Sequence, residues 1–477
     1  MNRASGVLMH ISSLYGDYSI GSFGKEAIEF VDFLFDCGFK FWQVLPFGMI
    51  DECNSPYKSY SAFGGNPYFV DLESLFADGL LTREELDSAR QQTPYSCEYV
   101  RLYHTRVDLL AKAAARADDA LRGKIAAFTK ENSYIAQFCE FMALKKANGE
   151  KCWTQWENDV PDADAQYVWQ FIQFMFFEQW GKIKSYANSK GIRIIGDIPF
   201  YVSFDSADVW GNKELFDLRA DFTARNVAGV PPDYFTADGQ LWGNPLYNWE
   251  VMERDGYGWW CARLRNMFTL FDAVRIDHFR AIESYWSVDS GESTAKNGKW
   301  IKGPGKAFVD KINEIRGENF VIAEDLGMIT DEVTKLVDYS GFPGMRVLQF
   351  GFMGGGDNPH KPHNYPRNSV AYTGTHDNNT LLGYVWELAE NDRAELMEYC
   401  GHFGDWNCGY DSIIRTVYAS NAALVILPIQ DLLGYGSDTR INIPGKADGN
   451  WQFRITRSQL GEINTEKYKR LNFIYKR

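Results

Sequence analysis

The sequence predicts an α/β protein, a (β/α)8 TIM barrel carrying a large helical insertion. Three observations carry this. Eight short apolar runs are spread along the 477 residues, helical stretches intervene between them, and three of the runs stop at a carboxylate. Nearly continuous apolar strands suit a parallel sheet covered on both faces. Acids at strand ends are what such a barrel offers its active site.

The runs are GVLMHI (6–11), KFWQVLPF (40–47), IRIIGDIPF (192–200), FDAVRID (271–277), NFVIAED (319–325), MRVLQFGF (345–352), SVAYTGT (369–375) and AALVILPI (422–429). Helical stretches such as EAIEFVDFLFDCG, EQWGKIKSYANSKG and DEVTKLVDYSG end at Gly38, Gly191 and Gly341, where C-cap glycines belong. Between the second and third runs the spacing breaks. Residues 80–180 hold no strong strand and read as amphipathic helices: TREELDSARQQ, RVDLLAKAAARADDALRGKIAAFTKE and SYIAQFCEFMALKKANG. Their charged faces are solvated surfaces. The expected division is a catalytic barrel of residues 1–79 and 181–477 with a helical insertion subdomain at 80–180. The tail after Leu432 is too short for a separate C-terminal β-sandwich.

Composition narrows the function. With 45% hydrophobic and 23% charged residues, the chain can bury a barrel core as an ordinary soluble protein does. A net charge of −14 without a basic stripe excludes nucleic acid as a partner. No run is long enough to span a bilayer, so no membrane partner is expected. The N-terminal apolar run from Gly6 to Ile11 is too short for a signal peptide and contains His10. Eight cysteines without C-x-x-C pairs read as reduced thiols in a cytoplasmic protein. Aromatics reach 16%, and many lie in polar stretches such as DYFTADGQLWGNPLYNW where no core period can be drawn. Flat apolar faces with polar rims suit sugar rings. The stretch 231–249, rich in turn formers, is expected to be a mobile loop.

The chemistry sits at three run ends: Asp277, Glu324 (followed by Asp325) and Asp377. Strand alternation places Ala273, Arg275 and Asp277 on one side. Arg275 is therefore expected to keep Asp277 ionised and lower its pKa. The apolar approach to Glu324 is expected to raise its pKa toward a proton donor's role. Two carboxylates pushed apart in this way suit glycoside cleavage. Asp377, beside His376, is placed to bind sugar hydroxyls, and Asp325 is read as a helix cap or salt-bridge partner. The same acids with His278 and His376 nearby also fit a metal-dependent isomerase or hydrolase. Arg275 opposes a second cation there, but residue chemistry alone leaves both readings open.

The segments SPYKSYSAFGGNPYFVDL, GDIPFYV, PPDYFTADGQLWGNPLYNW, RIDHFRA, VIAEDLG, FPGMRVLQF, NYPRNSVAYTGTHDN and GNWQFR follow one another in order, within a likeness that spans residue 6 to about 454. Together they resemble the 4-α-glucanotransferases, the amylomaltase or disproportionating-enzyme family, glycoside hydrolase family 77. The resemblance implies a retaining transfer of α-1,4-glucan segments, with Asp277 as nucleophile, Glu324 as acid/base and Asp377 as transition-state stabiliser. It also implies that Arg275, His376 and Asp197 line the subsite of cleavage. Tyr57 and Ser55 of SPYKS, with Trp242 and Asn244 of QLWGNP, are implied to hold the glucan. No metal or organic cofactor is implied. The expected partners are α-1,4-glucans and maltooligosaccharides, and the chain is expected to be a monomer or weak homodimer. An α-amylase-like glucan hydrolase, which would use the same acids, is the alternative.

Overall fold

Strands form at each of the eight expected runs. The computed structural model describes residues 2–232, 236–446 and 448–477. Its strands are β1 Ala4–Leu8, β2 Phe41–Gln43, β3 Arg193–Ile198, β4 Asn226–Val230, β5 Gln240–Pro245, β6 Ala273–Ile276, β7 Ser284–Asp289, β8 Lys299–Lys302, β9 Phe320–Ala323, β10 Gly344–Val347, β11 Ser369–Tyr372 and β12 Leu424–Pro428. Eight of them close a parallel barrel in the order β1-β12-β11-β10-β9-β6-β3-β2.

Strands β1, β6, β11 and β12 are buried along their whole length, which explains their unbroken apolar sequences. Inside the barrel Tyr372 Oη donates to Gln43 Oε1 at 2.9 Å, so the polar tips buried there satisfy one another. Strand β3 depends on one glycine. A Cβ on Gly196 would fall 2.1 Å from the Phe271 ring, closer than any side chain is tolerated. The helices Lys25–Asp36, Ala163–Ser189 and Asp331–Ser340 run into Gly38, Gly191 and Gly341, whose φ angles of 77°, 74° and 72° lie in the left-handed region.

Between β2 and β3 lie the helices Leu72–Ala77, Arg83–Ser88, Tyr99–Ala115, Asp119–Glu131, Ser133–Ala147 and Ala163–Ser189. The stretch read as continuous through residues 106–131 is interrupted where the Asp118 carboxylate accepts from Leu121 N at 2.8 Å and starts a new helix. Helix Ala163–Ser189 runs 27 residues, through residue 180, and joins these helices to the barrel. Its Gln173 side chain bonds both the N–H (2.7 Å) and the C=O (2.9 Å) of Gly65, and Trp180 Nε1 donates to Leu270 O at 2.8 Å.

A second sheet was not expected. Strands β5-β4-β7-β8 pair antiparallel. Strands β4 and β5 interrupt the connection from β3 to β6, while β7 and β8 interrupt that from β6 to β9. This corrects the expectation of a loop over 231–249. Gln240–Pro245 is a strand, with Gln240 opposite Val230 and Leu241 opposite Gly229. The backbone of β4 supplies partners that no local period reveals. Asp233, Tyr234 and Phe235 of that stretch lie outside the described residues.

After β12 come the helices Ile429–Leu433, Arg457–Glu462 and Thr465–Tyr475, and the described residues of the tail form no β-sandwich. Buried Arg454 fastens this tail by donating to Leu14 O and Gly16 O, both at 3.2 Å. No helix among the described residues is long and apolar enough to cross a membrane.

Candidate active site

Parallel strands place their C-terminal ends at one rim, and the expected acids gather there. Asp197 lies within β3, Arg275 within β6, Asp277 and Glu324 directly after β6 and β9, and Asp377 shortly after β11. Register sets Asp197 opposite Arg275. The buried guanidinium of Arg275 donates from Nη1 to Asp197 Oδ2 at 2.5 Å and from Nη2 to Asp277 Oδ1 at 2.6 Å. Tyr57 Oη donates to the same Asp197 oxygen at 2.6 Å. One fork thus fixes two carboxylates, and geometry of this kind is what arginine supplies and lysine does not.

Glu324 is held from two sides. Its Oε2 accepts from His278 N and its Oε1 from Leu326 N, both at 2.7 Å. His278 can aim its N–H there because its backbone is left-handed, at φ 50° and ψ 45°. Asp377 Oδ2 lies 3.2 Å from His376 Nε2, its Oδ1 accepts from Asn442 Nδ2 at 2.6 Å, and its carbonyl accepts from Arg440 Nη2 at 2.5 Å.

Electrostatics separate these acids. Burial pushes the Glu324 carboxyl up to about 7, and the neighbouring Asp277 adds to the rise. Burial also raises Asp277, to about 6, against the pull of Arg275. The expectation that Arg275 would bring Asp277 below its ordinary value is therefore corrected: desolvation outweighs the salt bridge. The expected order rests on the contacts instead, since of the two only Asp277 is bonded to the Arg275 cation. At Asp377 burial works upward too, but the contacts from His376 and Asn442, with Arg275 farther off, bring it down to about 2. Asp325 is a salt-bridge partner, 3.0 Å from Arg346 Nη1, as read.

These residues face a cleft of about 980 Å³. All the expected site residues line it except Asp197, which stands behind Arg275. Tyr57 stacks on His376 with ring centroids 5.1 Å apart and planes at 19°, and Ser55 Oγ accepts from Tyr57 N at 3.3 Å. Trp242, on β5, is 38% exposed and meets His278 edge-on at 4.9 Å. Asn244 braces the wall by donating Nδ2 to Val202 O at 2.8 Å. Among the described residues no three His, Cys, Asp or Glu side chains gather as metal ligands would.

Several cleft residues escaped the sequence reading. Asn442, which lines the cleft, and Arg440, which bonds the Asp377 carbonyl from outside it, lie far along the chain from Asp377, in a segment without period. Trp451 packs against Tyr57 and His376 at 5.9 and 5.8 Å; the GNWQFR segment contained it, but nothing in the residues alone marked it. Arg280 and Trp300 line the wall beside Glu324, and only the pairing of β7 with β8 brings Trp300 there.

Known proteins with this arrangement can now be compared. A family model described as 4-alpha-glucanotransferase matches residues 9–459. A 4-alpha-glucanotransferase of Streptococcus pneumoniae is 42% identical, with 100% of this chain and 97% of that protein covered. One from Thermus thermophilus is 40% identical, covering 98% of this chain and 97% of that protein. The structure of an amylomaltase from Streptococcus agalactiae in complex with acarbose superposes with a TM-score of 0.95 at 38% identity, covering 100% of this chain and 99% of that one. An amylomaltase from Corynebacterium glutamicum, at 18% identity, shares the fold with a TM-score of 0.82 over 99% of this chain and 75% of its own. Likeness over the whole length at this level of identity decides the matter: the chain belongs to the 4-alpha-glucanotransferase family, glycoside hydrolase family 77.

Proposed function

We propose that this protein is a 4-α-glucanotransferase that moves segments of α-1,4-glucans and maltooligosaccharides to the 4-hydroxyl of another glucan or of glucose, with retention. One observation carries the reading. Asp277 is bonded to the Arg275 guanidinium, whereas buried Glu324 accepts only from two backbone N–H groups and is pushed up by its burial and by Asp277, so the proton that the pair retains belongs on Glu324. Double displacement needs that distribution.

Asp277, oriented by Arg275, attacks the anomeric carbon while Glu324 protonates the departing glycosidic oxygen, leaving a covalent glycosyl-enzyme. Glu324 then takes a proton from the incoming 4-hydroxyl, and the sugar passes to the acceptor. Asp377 stays ionised throughout and accepts hydrogen bonds from the sugar beside the stacked pair Tyr57 and His376, balancing positive charge at the reacting carbon. Trp242 covers the side where the acceptor enters, which favours sugar over water. Residues 80–180 form a helical subdomain in this reading, and its Tyr103 and Lys145 extend the cleft wall. Eight free cysteines fit a cytoplasmic setting, and a monomer or weak homodimer completes the proposal.

Chromatography of the products from pure maltotriose tests it. Glucose together with a ladder of longer maltodextrins is expected. Glucose and maltose without any longer product would show a hydrolase instead.

A further inference from the structure

The antiparallel sheet carries tryptophans on both of its outer strands, Trp242 on β5 and Trp300 on β8, and both line the cleft. Trp300 has no part in the mechanism above. It stands opposite Trp286 across the β7–β8 ladder, with ring centroids 5.1 Å apart and planes at 66°. The guanidinium of Arg280 lies over one of its faces, 3.9 Å from the ring centroid. Arg280 is itself buried and anchored, donating to Met328 O and, at 3.3 Å, to Ser284 Oγ. Trp300, met by one ring across the ladder and covered on one face by a guanidinium, is still 39% exposed.

Its place relative to the acids gives the direction. Arg280 follows closely on His278, whose N–H holds Glu324, while Met328 follows closely on Glu324 itself. Tyr57, His376, Asp377, Asn442 and Trp451 contact one another, and among the described residues none of them touches Arg280 or Trp300 through a hydrogen bond or ring contact. A proton donor stands beside the oxygen that leaves, so sugars beyond that oxygen extend over the Glu324 side.

We propose that Trp300 is a stacking platform for the acceptor glucan beyond its first glucose, and that it sets the preference for acceptor length. This rests on the glucanotransferase reading. The exposed indole surface matches the C–H-rich face of a glucose ring. Arg280 and Trp286 immobilise it in advance, so little order is lost on binding. The plain structural role of a cross-strand tryptophan pair, holding β7 to β8, predicts a loss of stability without any dependence on acceptor length.

The experiment uses amylose as donor and radiolabelled glucose, maltose and maltotriose as acceptors, with KM and kcat measured for each. Trp300→Ala is expected to raise the KM for maltotriose by about 5- to 10-fold, the worth of one aromatic contact. The KM for glucose, which fills only the first acceptor position, is expected to move less than about twofold. Trp300→Phe, which keeps a flat ring, should stay near the wild type, and Trp300→Met, which keeps bulk without a plane, should follow Trp300→Ala. If Trp300→Ala does not fold, the Phe and Met variants carry the comparison. Equal shifts for all three acceptors, no shift for any, or Trp300→Met matching the wild type would each overturn the platform. Absence of label transfer by the wild type would overturn the glucanotransferase reading, and the platform with it.

Discussion

Arg275 is the most informative residue to perturb, because its two nitrogens reach Asp197 and Asp277 at 2.5 and 2.6 Å and it is itself 4% exposed. Arg275→Met keeps much of the volume and removes the charge. Two unit charges about 4 Å apart at an effective dielectric of about 20 interact by about 4 kcal/mol. At about 1.4 kcal/mol per unit, that is a ceiling of about three pKa units, and water entering in place of the guanidinium reduces it to about one to two. The sign is upward, since loss of a cation disfavours an ionised carboxylate. Asp277 begins at about 6 and so should titrate between about 7 and 8, and Glu324, which Arg275 also holds down, should follow it upward. The assay is kcat/KM for maltotriose against pH. Both limbs of the bell should move to higher pH, with activity falling far more at pH 6 than at pH 8. Arg275→Lys retains the charge and should leave the limbs near their original places while lowering the rate. Breaking a buried pair costs about 3–5 kcal/mol of stability, so each variant is assayed well below its own melting temperature. Limbs that stay in place while Arg275→Met loses the same factor at every pH would refute the reasoning and leave Arg275 as a structural brace.

Three further outcomes are expected. With a glucan or acarbose bound, the carboxyl groups of Asp277 and Glu324 should lie about 5–5.5 Å apart in a crystal structure, and a separation of about 6.5–9.5 Å would contradict retention. Glu324→Gln should cripple transfer from ordinary glucans yet spare the first step with a glycosyl fluoride, whose leaving group needs no proton; Asp277→Asn should abolish both, and equal loss with the two donors in Glu324→Gln would count against its role. Trp242→Ala removes an aromatic face worth about 1–3 kcal/mol and should raise the share of hydrolysis as transfer from maltotriose falls, measured as reducing ends released against transfer products; a fixed ratio at a lower total rate would make Trp242 structural.

What the sequence disclosed followed from where each element is buried. Strands β1, β6, β11 and β12 touch water on neither face, so an unbroken apolar run is their direct signature. The acids stood out because they terminate such runs. Strand β8 is mostly exposed and β5 partly so, and the pairing that assembles their sheet, β4 with β7, joins segments on either side of β6, so no short window along the chain contains the cause. The same limit explains Asn442, whose tie to Asp377 spans two separate loops of the barrel rim. The pKa of Asp277 was misjudged for a related reason. Its salt-bridge partner is two residues away and visible, whereas the desolvation that outweighs it comes from the whole assembled site.

The antiparallel sheet also bears on how such a molecule can be altered. Strand β4 lies between β5, from its own excursion, and β7, from the other, so two loops separated by β6 share one hydrogen-bonded ladder. Replacing either excursion alone would strip β4 or β7 of its partner and leave a row of unpaired amides and carbonyls open to aggregation. Grafting from a relative must therefore move both excursions as one cassette, and substitutions in one are expected to be tolerated according to what stands in the other. The two tryptophans on the outer strands are bound by the same constraint: neither can be repositioned while the other's strand keeps its register.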